Sequence, residues 1–75
     1  KQRGVAYMSK LINDLVGKQC IIRSEFIFSF AGKTELSCKI IDVDDEWIKI
    51  CYTEKKDKQV VKLMRIENIE SIEEQ

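Results

Sequence analysis

The sequence predicts a mainly β domain in which a short N-terminal α-helix precedes a strongly bent, five-stranded antiparallel open barrel. Three observations carry this expectation. Apolar residues alternate with polar ones over most of the stretch from Cys20 to Ile72, the period-two signature of half-buried strands. Short turn signals of charged and glycine-containing residues divide that stretch, and the chain holds no proline. At 75 residues the chain is near the lower size limit for independent folding, too short for two packed sheets, so one sheet must curl to enclose a core.

The elements are taken in order. Residues 1–7 show neither periodicity, and Arg3-Gly4-Val5 can be encoded by a purine-rich run resembling a ribosome-binding site shortly before Met8. They are read as a disordered leader, a start-site artefact or an expression remnant, leaving 8–75 as the single domain. Ser9 is a plausible N-cap for a helix over 9–16, with Leu11, Ile12, Leu15 and Val16 on one stripe. Gly17 supplies the stop, with Lys18 beside it to complement the dipole. A long first strand is expected over 20–30, with Cys20, Ile22, Phe26, Phe28 and Phe30 inward and a bend or bulge near Ser24. Ala31-Gly32-Lys33 then reads as a hairpin turn.

The second strand is expected over 34–43, with Leu36, Cys38 and Ile40 inward, and is broken by Asp44-Asp45-Glu46. The third spans 47–54, with Ile48, Ile50 and Tyr52 on one face and Trp47, Lys49 and Cys51 on the other. A charged turn at 55–58 leads to a fourth strand over 59–64, and a tight turn at 65–68 to a fifth over 69–72.

Composition narrows the function classes. Thirteen basic and thirteen acidic side chains cancel, so the chain lacks the broad positive field of a bulk nucleic-acid binder. The signs are unevenly placed: residues 1–39 carry seven basic and three acidic groups, net +4, and residues 40–75 carry six basic and ten acidic, net −4. A solvated surface explains this most simply, and head-to-tail packing of subunits would use it. No apolar run reaches the ~20 residues a bilayer-spanning helix needs. Three widely spaced cysteines with no His and no C-x-x-C pair argue against zinc or a disulfide framework and for a reduced, cytoplasmic protein. No metal or other cofactor is expected.

No catalytic constellation stands out. Glu67, Glu70, Glu73 and Glu74 lie on a short strand and the tail, where nothing would push their pKa values apart for acid–base work. Asp42, Asp44, Asp45 and Glu46 lack the glycine and alternating oxygen ligands of a calcium loop. No histidine can activate a thiol, though Cys51 is the cysteine to check for a lowered pKa. The phenylalanines serve better as core or subunit interface than as stacking platforms. An enzyme is therefore not expected.

Helix, five strands and a turn between the fourth and fifth resemble the Sm-like (LSm/Hfq-like) superfamily over residues 9–72. In its first motif Cys38 stands at the glycine position, Ile40 and Val43 at apolar positions, Asp44 at the aspartate, Trp47 at the methionine-like position and Ile48 at the asparagine. In its second, Met64-Arg65-Ile66-Glu67-Asn68-Ile69 keeps the arginine and both flanking apolar residues, with Ile66 in place of glycine. The family's asparagine and Arg-Gly pair build its base pocket, and both are altered here. The Tyr-Lys-His stretch of Hfq is absent.

The resemblance implies a homo-oligomeric ring closed through the fourth and fifth strands as free edges, with Val60, Val61, Leu63, Ile69 and Ile72 along them. It also implies binding of single-stranded RNA, for which Arg65, Trp47, Lys49 and Lys62 are the candidate contacts. Neutral charge and the altered pocket favour the alternative, an oligomerising protein-interaction domain without a nucleic-acid role.

Overall fold

The computed structural model describes residues 10–75. The expectations for the leader and for Ser9 as a cap fall outside the described residues. Residues 10–13 are helical, but the helix does not run on to Val16 in α geometry. From Asp14 onward the backbone closes i→i+3 bonds, Asp14 N–H to Leu11 O, Leu15 N–H to Ile12 O and Val16 N–H to Asn13 O, the tightened winding common at helix ends. Gly17 ends it with φ +87°, a left-handed conformation that suits glycine, and its N–H already bonds to Ile40 O at 2.7 Å. Of the expected stripe, Ile12 is buried and Leu15 half-buried, while Leu11 and Val16 are exposed.

The expected long first strand is corrected by the structure. Strand β1 covers only Gln19–Arg23, and Glu25–Ala31 is an α-helix, α1. Ser24 is its N-cap, extended at φ −168° and ψ 141°, with Oγ accepting from Phe26 N–H. Glu25 places an acid in the first turn, where the helix dipole favours it. Gly32 closes the helix at φ +76° with its N–H on Phe28 O, so the expected hairpin turn is a left-handed helix cap. The even-numbered phenylalanines suggested a strand, but Phe26, Ile27, Phe30 and Ala31 also fall at i, i+1, i+4 and i+5. Ile27 is the residue this helix buries, and the inward Phe28 of the strand reading is in fact exposed.

The remaining strands are β2 (Glu35–Val43), β3 (Trp47–Glu54), β4 (Lys58–Arg65) and β5 (Ser71–Glu74). They form one antiparallel sheet of order β4-β3-β2-β1-β5, so β4 and β5 are its two edges. The register shifts between Ile40 and Asp42, which pair with Ile50 and Lys49. Ile41 is thus an extra residue, a β-bulge that sharpens the local twist. The fifth strand begins later than expected, because Ile69 closes the 3₁₀ turn Ile66–Asn68 through its N–H to Ile66 O.

Curvature follows from the link between β4 and β5. A flat five-stranded sheet would hold its edges about 19 Å apart, at about 4.8 Å per neighbour. The two strands also run in the same direction, so the link must return along the strand length as well. Only residues 66–70 are available, and three of them are wound into a 3₁₀ turn, which leaves a reach of about 16 Å. The sheet must therefore curl. Ile66 N–H bonds to Glu46 O at 2.8 Å beside one edge, and Glu70 N–H to Arg23 O at 2.9 Å beside the other. Ile66 and Ile69 are buried in the space enclosed, with Ile12, Cys20, Ile22, Ile27, Leu36, Cys38, Ile40, Ile48, Ile50, Tyr52 and Met64.

Candidate interaction surface

On β3 and β4 the alternation sorts the candidate residues onto two faces. Ile48, Ile50 and Tyr52 face the core opposite Met64, Lys62 and Val60. Trp47, Lys49 and Cys51 face outward, opposite Arg65, Leu63 and Val61. Of the four candidate RNA contacts, Trp47, Lys49 and Arg65 therefore share the outer face. Lys62 lies on the other, with its ammonium 4.2 Å from the centroid of the Phe30 ring. Phe30 in turn packs against Tyr52 and Phe26, at centroid distances of 5.8 and 5.7 Å.

The Arg65 guanidinium lies 5.3 Å from the Trp47 ring centroid, a cation–π contact. Two carboxylates attend it: Glu67 Oε2 is 3.4 Å from Nε and Glu46 Oε1 is 3.8 Å from Nη2. Neither is close, and buried Nε has no well-directed hydrogen bond. Arg65 is thus partly neutralised and held against the indole.

The acidic turn before Trp47 is structural. Asp44 Oδ1 accepts from Glu46 N–H at 2.9 Å and from Trp47 N–H at 2.8 Å. These bonds, that from Trp47 foremost, hold its carboxyl below the usual carboxylate range. Among the described residues no group of three or more His, Cys, Asp or Glu side chains is placed to hold a metal.

Along edge strand β4 the outer face is apolar and open. Val61 is 62% and Leu63 52% exposed, with Trp47 beside them at 39%. Against the other edge lies an apolar groove of ≈ 180 Å³, lined by Leu11, Ile12, Leu15, Ile69, Ser71 and Ile72. Of the expected edge residues, Val61 and Leu63 are exposed, Val60 and Ile72 half-buried and Ile69 buried. The groove was not foreseen from the sequence. Its signal in the sequence is the apolar stripe of Leu11, Ile12 and Leu15 on a helix too short to stand without a surface to lie against.

The three cysteines are free and fall into two kinds. Cys20 and Cys38 sit directly opposite each other on β1 and β2, both buried. Burial raises both thiols, with the Glu74 carboxylate adding to the effect at Cys20; Cys38 is pushed up to about 12. Cys51 is half-buried, its thiol 3.5 Å from Gln59 Oε1 as donor. A disulfide reagent should accordingly label Cys51 first, and the other two only on unfolding. The ordinary thiol value is 9.0. A folded-state value above it stabilises the fold fully below about pH 9, and that contribution is lost as pH rises toward 12. Urea midpoints measured from pH 8 upward should fall in this window, and Cys38→Ala should flatten the fall.

No family model, curated protein or solved structure matches the chain.

Proposed function

We propose that this chain is a non-enzymatic, Sm-like small-barrel module that works as a homo-oligomer, its copies joined through the free edges β4 and β5. The observation that carries the reading is the sheet order β4-β3-β2-β1-β5. Among the described residues both edges present unpaired backbone groups, and the longer one carries an exposed apolar row. Such edges invite strand addition. A head-to-tail joint between two different edges closes into a ring if the rotation allows. Native mass spectrometry and sedimentation from micromolar to millimolar chain should find a defined oligomer, and a monomer throughout that range overturns the proposal.

A second reading has one observation in its favour. Arg65 stacked on Trp47 offers a flat cationic and aromatic platform, on which a base could stack for about 1–3 kcal/mol. Its test is binding of short oligouridine and oligoadenine at low salt, where contacts to phosphate are strongest. Binding that Trp47→Ala abolishes would support an RNA role, and no binding at low salt leaves the interaction module without one.

A further inference from the structure

The proposed assembly leaves open which residues of the two edges meet, and the hydrogen-bond pattern of the sheet answers that. In an antiparallel ladder alternate residues of a strand bond to one neighbour and the rest point their backbone groups to the other side. On β4, Ile66 N–H bonds to Glu46 O just past the strand. With Trp47 opposite Arg65 in the register, this makes Met64, Lys62 and Val60 the residues bonded to β3. The backbone groups of Gln59, Val61, Leu63 and Arg65 are left facing the open edge. On β5, Gln75 N–H bonds to Gln19 O. With Cys20 opposite Glu74, Ser71 and Glu73 bond to β1, and Ile72 and Glu74 face the open edge.

The consequence is a change of face. Val61 and Leu63 project from the outer side of their own sheet, whereas Ile72 and Glu74 project toward the core, since they pair with the buried Ile22 and Cys20. Residues directly opposite each other in a ladder share a side. Antiparallel addition of β4 to the β5 of a second copy therefore turns the outer row of β4 toward the core side of that copy. The apolar groove of Leu11, Ile12, Leu15, Ile69 and Ile72 lies on β5 there.

Resting on the assembly reading above, we infer that Leu63 of one copy docks in the β5 groove of the next, opposite Ile72, with Lys62 opposite Glu73, Arg65 opposite Glu70 and Val61 at the groove's end opposite Glu74. Neighbouring registers do worse. A shift of two residues one way sets Arg65 against Ile72 and Leu63 against Glu74. The shift the other way sets Val60 against Glu73. Either shift separates both Lys62 from Glu73 and Arg65 from Glu70. Charge also excludes like edges. Strand β4 carries Lys58, Lys62 and Arg65, while Glu70, Glu73 and Glu74 lie on or beside β5, so β4 on β4 or β5 on β5 would oppose equal charges. The joint is head-to-tail.

The test uses the full chain with Cys51→Ser to remove the accessible thiol. Chains carrying Lys62→Cys and chains carrying Glu73→Cys are mixed and oxidised with a mild disulfide reagent. A pair of this kind brings Cα atoms to about 4.5 Å, within disulfide reach. The expected result is a covalent dimer in the mixture and none from either chain alone. Leu63→Lys in the same background should abolish the dimer while leaving the circular dichroism unchanged. Self-cross-linking of the Lys62→Cys chain, or an oligomer in which the mixture fails to cross-link, overturns the register with the assembly intact. A parent chain that stays monomeric overturns both.

Discussion

Replacing Ile48 by Asn should destabilise the domain by about 3–5 kcal/mol, enough to unfold a large share of the molecules. Ile48 is fully buried, opposite Val43 on β2 and Met64 on β4, in the same core as fully buried Ile66. The substitution removes apolar burial and inserts an amide that an aliphatic site cannot satisfy, each at a cost of about 1–3 kcal/mol. A chain of this size has only about 4–11 kcal/mol in total. The Sm-like pattern has its asparagine at this position and a glycine at that of Ile66. Both isoleucines are fully buried, so any pocket opened at these positions would have to displace packed hydrocarbon. Urea unfolding followed by circular dichroism measures the loss. A variant of unchanged stability that gained affinity for oligouridine would show that the site can still open as a pocket.

Ser24→Ala should cost about 2–4 kcal/mol, an unusually large effect for so small a change. Ser24 is the one polar residue buried outright among those described, and its hydroxyl serves two partners. It accepts from Phe26 N–H at 3.1 Å and donates to Asn68 O at 2.6 Å. The first bond caps α1, worth about 0.5–2 kcal/mol. The second ties the β1–α1 junction to the turn that bridges the sheet edges, and its loss strands a carbonyl for about 1–3 kcal/mol. Chemical denaturation should show a lower midpoint. Ser24→Thr, which keeps the hydroxyl, should recover more of it than Ser24→Gly, which keeps only the cap conformation. Equal losses for Ala and Thr would mean that shape rather than hydrogen bonding matters here.

The legible part of this fold was the part governed by a single period. From Glu35 to Ile40 and from Trp47 to Tyr52 the alternation sorted the side chains onto their observed faces, because each strand there has one covered side and one wet side. The stretch from Ser24 to Ala31 was misread because Phe26, Phe28 and Phe30 satisfy a strand while Phe26, Ile27 and Phe30 satisfy a helix. What decides between them is the pair of ends, a serine cap and a left-handed glycine, both of which also fit a bulged hairpin. The candidate surface was only partly readable. Arg65 and Trp47 do meet, since odd positions on β3 and β4 share a face. Of the carboxylates around Arg65, Glu46 comes from the turn before β3 and Glu67 from the curled link at 66–70, and that link also shapes the groove beside β5; contacts between distant segments leave no periodic trace.

The partner of β1 on its outer side is the last strand of the sheet, with Gln75 N–H bonded to Gln19 O and Ile72 opposite Ile22. During synthesis, β1, α1 and the next three strands must wait for residues beyond 70 before that side is covered. Long-range closure of this kind slows folding into the millisecond-to-second range. Throughout that wait the nascent sheet shows an uncovered β1, a natural landing place for a chaperone or for the edge of another newly made chain.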